Sequence, residues 1–161
     1  MKEVLSLAGK TPSSTPSATS VRTMLLEGRA VGLLHIGHLA GSDNTLHFDG
    51  TTKHGHKYGS FQLTTDDGQF TLAVSGALSG SAEHTMELLH HTIGQLGAAG
   101  EKLGDAQSGN RLIAALKNTM SDRAAVNTKF NNMLQEYRSS VLPVIQQDWD
   151  TLTETQKKET C

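Results

Sequence analysis

Asp49 stands in the middle of TLHFDGTTKHGHKYGSFQLTT, Thr45 to Thr65, a stretch whose alternation reads as extended strand. Strand propensity disfavours a carboxylate there. Either Asp49 faces solvent, or the strand exists to hold it. His47, Lys53, His54, His56 and Lys57 crowd around it. The two lysines could contact a phosphate backbone beside the carboxylate, or could be plain solvated surface. His54 and His56 flank a glycine, a pattern that can hold Zn²⁺, Ni²⁺ or Cu²⁺ loosely. Exposed turn histidines without a ligand are the alternative. The second acid of interest, Asp122, sits in SDRAAVNTKF. There it or Ser121 can cap a helix, or it can serve together with Asp49. His35 with His38, and His84 with His91, fall at one-face helical spacings, which polar helix surface also explains. His90 and His91 are adjacent and cannot face one ligand.

The elements that would position these residues follow from the periodicity. A helix is expected from Thr19 or Ser20, with Val21, Met24, Leu25, Val31, Leu34 and Leu39 at roughly helical spacing. GSDN, Gly41 to Asn44, ends it. The period then changes to two. Leu46 and Phe48 alternate with His47 and Asp49; Phe61 and Leu63 alternate with Gln62 and Thr64; Phe70, Leu72 and Val74 alternate with Thr71 and Ala73. Asp67-Gly68 supplies a hairpin turn, and TTKHGHKYG reads as a looser link. Ser81 is expected to cap a helix whose stripe is Ala82, Met86, Leu89, Ile93 and Leu96. GAAGEKLGDAQSGN reads as a loop. RLIAALKNTM is helical by composition, yet short enough to be a buried parallel strand. A further helix carries Ala125, Phe130, Met133, Leu134 and Tyr137 on one face and is expected to stop at Pro143, where another begins. A meander followed by a helix and a returning strand makes a mixed sheet covered by helices. The returning strand can lie beside the first, with a right-handed crossover, which brings Asp122 near Asp49. The expected organisation is a flexible segment over 1–18, an α/β domain over 19–142 and a helical tail over 143–161.

Composition bounds the function. Net charge is -2 and the pI is about 6.4, which is no footprint of an autonomous nucleic-acid-binding domain. Cys161 is the sole cysteine, so an intramolecular disulfide and a cysteine-based zinc site are excluded. No run approaches the roughly 18 apolar residues of a membrane span, and no signal-peptide pattern opens the chain. An intracellular protein fits these features. A G-x-S-x-G elbow, a Walker loop and a dinucleotide fingerprint are all missing from the sequence.

The aspartate in HFDGTT, the meander, the helix opening with SAEHT, and KNTMSDRAAVNTKFNNML together resemble the RNase H-like catalytic core of DDE transposases. The likeness is to hAT-type and related animal transposon-derived proteins, over roughly Thr45 to Leu142. It implies an RNase H-like mixed sheet, a three-stranded antiparallel meander plus a parallel fourth strand, covered by helices. It also implies that Asp49 on the first strand and Asp122 at the end of the fourth are catalytic and hold Mg²⁺ or Mn²⁺, two ions assisting phosphodiester chemistry. The family's third carboxylate lies on a later helix, and the chain stops at Cys161, too soon for it. The expectation is therefore a transposase-derived domain truncated before its third carboxylate, with weak metal binding and no effective nuclease activity alone. Asp148 and Asp150 lie in the tail and are not promoted to the missing ligand. DNA is the implied partner, with weak contacts from Lys53 and Lys57. The implied location is nuclear. Self-association through an uncovered part of the sheet is a further expectation. The competing reading is a non-enzymatic protein-interaction module.

Overall fold

The computed structural model describes residues 17–39, 43–54, 56–76, 81–122 and 124–160. The segment expected to be flexible lies almost wholly outside the described residues, as do Gly41, Gly55 and the Lys53 side chain. The chain divides into two units, residues 1–32 and 33–161.

The first unit contains most of helix α1 (Ala18–Leu39). Its cap is Ser17, ahead of the expected Thr19 or Ser20: the Ser17 hydroxyl accepts the Ser20 N–H at 3.0 Å, satisfying one orphan donor of the first turn. The expected stripe does not hold here, because Met24, Leu25 and Val31 are exposed. The burial in α1 falls at Leu33 and Ile36, in the second unit.

That second unit is α/β. Strands β1 (Asn44–Lys53), β2 (His56–Thr65) and β3 (Gly68–Gly76) form the antiparallel meander. Helix α2 (Ala82–Glu101) and helix α3 (Ser108–Ala114) then lead to β4 (Leu116–Met120), which pairs parallel with β1. The sheet order is β3-β2-β1-β4, the mixed arrangement expected. Helix α4 (Ala125–Ile145) follows, then a 3-10 turn (Trp149–Thr151) and helix α5 (Glu154–Thr160).

Strand parity explains the sheet. Phe48 pairs with Phe61 and Leu46 with Leu63, so these four share the face packed against the helices. Phe48, Phe61 and Phe130 of α4 form a ring cluster with centroids 5.2, 5.5 and 5.9 Å apart. Burying such rings stabilises by about 1.5–3 kcal/mol each, which offsets the local cost of Asp49 on the same strand. In β3 the expected alternation breaks. Phe61 pairs with Ala73 and Gln62 with Thr71, leaving Leu72 as an extra residue. The bulge keeps Leu72 in the core, while Val74 lies 68% exposed.

The links also differ from the sequence reading. β1 and β2 pair out to Lys53 and His56, so TTKHGHKYG is mostly paired strand, with a turn at His54, rather than a loose link. His54 takes a positive φ of 52° in that turn. Between β2 and β3 the turn residues are Asp66 and Asp67; Gly68, at φ 139°, already belongs to β3. RLIAALKNTM is both helix and strand: α3 buries Leu112 and Ile113, and Leu116 starts β4.

The expected glycine-rich loop is mostly helical. Gly97 and Gly100 lie in α2, and Gly109 lies in α3. A Cβ at Gly100 would overlap Ser108 and the Asp105 carbonyl, and one at Gly109 would sit 2.6 Å from the Ile93 carbonyl oxygen. These glycines let the two helices cross in near-backbone contact. Ser81 caps α2 as expected, accepting the His84 N–H at 3.2 Å. The expected apolar stripe of α2 is buried. Helix α4 does not stop at Pro143 but runs through it to Ile145. Val141 and Leu142 are buried, and their packing holds the last turn despite the ladder bond that proline removes.

Candidate functional site

Asp49 lies on the sheet face opposite the ring cluster, as strand alternation requires, and is exposed. Ser60 pairs with it across β2. Beside them His47 Nε2 lies 2.9 Å from Thr64 Oγ1. On the other side, β4 pairs with β1 as far as His47 and Met120. Two residues on in each strand come Asp49 and Asp122. The parallel register thus carries Asp122, just past the end of β4, to the level of Asp49. Both line a cleft of about 330 Å³ with His47, Ser60, Gln62 and Met120.

Asp122 is held from the helix side. Its Oδ1 accepts the Ala124 N–H at 3.1 Å and a hydrogen bond from Asn127 Nδ2. Asn127 is buried, so its amide fixes the carboxylate from beneath. The Ser121 hydroxyl instead donates to the Asp122 carbonyl at 3.3 Å. Neither candidate is the N-cap of α4, which is Ala124 with no side-chain cap bond; Asp122 holds the chain just ahead of the helix through the Ala124 N–H. Its other oxygen, Oδ2, makes no hydrogen bond among the described residues.

A second cleft, of about 230 Å³, borders Asp122 on the helix side. Thr51, Thr52, Lys57 and Tyr58 wall it from the ribbon, and Thr85 and Asn127 from α2 and α4. Lys57 is therefore near Asp122, whereas the Lys53 side chain lies outside the described residues.

The histidines are dispersed. His35 packs edge-on against Phe70 at 5.9 Å, and His90 lies 4.2 Å from the Tyr137 ring. His91 bonds Gln95, and His84 lies 3.5 Å from Glu87. His54 and His56 are exposed, and the side chain of His38 lies outside the described residues. Among the described residues, no three His, Cys, Asp or Glu side chains cluster to hold a metal ion. Asp148 and Asp150 are exposed around the 3-10 turn.

The residues that sequence reasoning missed are Asn127, Tyr58 and Thr85. Asn127 left a usable signal: it sits three residues before Phe130 on the buried stripe of α4, where a polar residue needs a partner. Tyr58 and Thr85 left none, because they come to border one cleft only through the way α2 lies over the sheet.

Comparison with protein-family models, with curated proteins and with solved structures gives no match. Among the described residues no helix is long and apolar enough to cross a membrane.

Proposed function

We propose that this chain is a transposase-derived RNase H-like module that handles nucleic acid, with Asp49 and Asp122 as the carboxylates that hold one hydrated Mg²⁺ or Mn²⁺. The observation that carries the reading is the parallel register of β1 and β4, which brings the two acids to one cleft. The donor set fits one hard cation. Mg²⁺ keeps several waters and takes one or two carboxylates plus substrate phosphates. Asp49 and the Oδ2 of Asp122 are hard oxygen donors of that kind. When bound, the ion would supply Lewis-acid polarisation of a phosphoryl oxygen. The protein's own part is to hold Asp122 through Ala124 and Asn127, and to seat Asp49 on a strand anchored by Phe48. A two-ion clamp needs more ligands than two carboxylates provide, so binding is weak and strand cleavage by this chain alone is feeble or absent. A nuclear location goes with this reading.

The test is a Mn²⁺ titration followed by thermal melting, with Asp49→Asn as control. Stabilisation grows as RT ln(1 + [L]/Kd), so a weak site raises the melting temperature only at high metal, and the variant loses the rise. Equal Mn²⁺ responses in the wild type and Asp49→Asn refute the site. Plasmid nicking that vanishes in Asp49→Asn would instead make the chain a working nuclease.

One observation favours the second reading, a protein-interaction module: Met24, Leu25, Leu26 and Val31 of α1 are 59%, 70%, 60% and 65% exposed. Size-exclusion chromatography of the wild type and Leu25→Ser tests it. A larger species that the substitution dissolves supports self-association.

A further inference from the structure

The outer edge of β4 is open. In the sheet order β3-β2-β1-β4 this strand pairs with β1 alone, so the backbone N–H and C=O groups on its other side have no strand partner among the described residues. Thr119 pairs with Leu46 of the core and therefore points to the helix side, yet it is exposed. Helix α4 thus leaves a groove of about 200 Å³ between its own flank and the β4 edge. Asn131 and Gln135 each follow a core residue of α4, Phe130 and Leu134, by one position, so they stand on that flank and line the groove. Asn131 Oδ1 is buried and has no hydrogen-bond partner among the described residues, a state in which buried polar atoms are rarely left. Lys117 lies on the edge itself: the β1–β4 register passes from Leu116 to Asn118 and skips it. It is exposed and makes no ion pair among the described residues. Lys117 and Arg138 line the groove, and no acid does so among the described residues.

We propose that the outer edge of β4 receives an extended, acidic segment of a partner protein as an added strand. Main-chain hydrogen bonds hold the segment to β4, and its side chains set the specificity. The carboxamides on the flank of α4 suit a passing peptide backbone, because each offers both donors and an acceptor. Asn131 Oδ1 takes a peptide N–H, and a carboxylate of the segment meets Lys117. The lysine decides the occupant. A charged residue on an edge opposes pairing with a second copy of the same strand, and LKNTM carries that lysine and no acid. The same charge favours a strand of opposite sign. This inference deepens the protein-interaction reading through residues other than the exposed apolar ones of α1, and it needs no metal.

The experiment measures binding of fluorescent peptides to the full chain by anisotropy. The probe is a peptide of alternating threonine and valine with glutamates near its centre; its twin carries lysines in their place. Two further acidic peptides are N-methylated on alternate residues, one along each backbone edge. The proteins are the wild type, Lys117→Glu, Asn131→Leu, and Lys57→Glu as an exposed control on β2, two strands away from β4. The wild type binds the acidic peptide more tightly than its twin. Lys117→Glu weakens the acidic peptide about 2–10-fold and tightens the twin, and the difference shrinks in high salt. Asn131→Leu weakens both peptides while its melting temperature holds or rises, because an orphan acceptor is replaced by an apolar group. Lys57→Glu binds as the wild type does. Methylation along one edge abolishes binding and along the other spares it. No binding of the acidic peptide, equal effects of Lys117→Glu and Lys57→Glu, or binding of both methylated peptides as tight as that of the plain one would each overturn the inference. A larger species dissolved by Leu25→Ser, alongside absent peptide binding, leaves the α1 surface standing and removes the β4 edge alone. Peptide binding that depends on Lys117, in a chain that stays monomeric, supports the β4 edge and removes self-association through α1.

Discussion

Gly109→Ala tests whether the crossing of α2 and α3 sets the position of β4. The added Cβ would lie 2.6 Å from the Ile93 carbonyl oxygen and 3.0 Å from Ile93 Cγ2. The first of these atoms is backbone in the middle of α2, so it cannot rotate away. Overpacking of this kind costs about 1–3 kcal/mol. Against it stands the gain of about 1 kcal/mol when alanine replaces glycine inside a helix. Because the obstacle is backbone, the upper half of the overpacking range, about 2–3 kcal/mol, applies, and the net loss is about 1–2 kcal/mol, or a fall of about 3–8 °C in melting temperature for a domain of this size. Gly94→Ala is the matched control. It lies on α2 with nothing within 4 Å of an added Cβ, so only the propensity gain applies and the melting temperature rises by a few degrees. Thermal and urea melts of both variants measure the difference. A Gly109→Ala protein as stable as the wild type, or a Gly94→Ala protein that loses as much, refutes the claim of backbone contact. α3 leads directly into β4 and Asp122, so Gly109→Ala is also expected to weaken the Mn²⁺ response.

The bulge in β3 predicts opposite outcomes for two apolar residues: Leu72→Ala costs about 2–5 kcal/mol, while Val74→Thr changes stability by no more than about 0.5 kcal/mol, both read from urea melts. Asp122→Ala removes the acceptor of the Ala124 N–H and strands the Asn127 amide, costing about 1–3 kcal/mol; Asp122→Asn keeps an acceptor oxygen and costs less, yet abolishes the Mn²⁺ response. The hydrogen bond from Lys129, joining α4 to α2, holds the Glu83 carboxyl below its ordinary 4.5. A lowered folded-state value means that the contribution is present above about 4.5 and is lost as pH falls through the lower folded value. Glu83→Gln is therefore expected to flatten the decline of melting temperature below that pH, and less so in high salt.

The sequence alone determined the α/β class, the meander, the helix capped by Ser81 with its buried stripe, and Asp49 on the face opposite Phe48. Each of these follows from local rules: period-two alternation, a cap three residues before its N–H, and apolar spacing along a helix. It also placed Asp122 beside Asp49 in prospect, because a crossover returning to the first strand has few places to go. Other features were decided by packing partners distant in the chain. Gly97, Gly100 and Gly109 look like loop residues until α2 and α3 press their backbones together. Leu72 and Val74 alternate cleanly in sequence, and only the pairing with Phe61 and Gln62 inserts the bulge that parts them. Pro143 reads as a stop until the burial of Val141 and Leu142 carries α4 past it. Asn127 becomes the support of Asp122, and Lys57 the wall of a second cleft, only once α4 lies over the sheet. These contacts join residues far apart in sequence, and no local period or propensity encodes such a meeting.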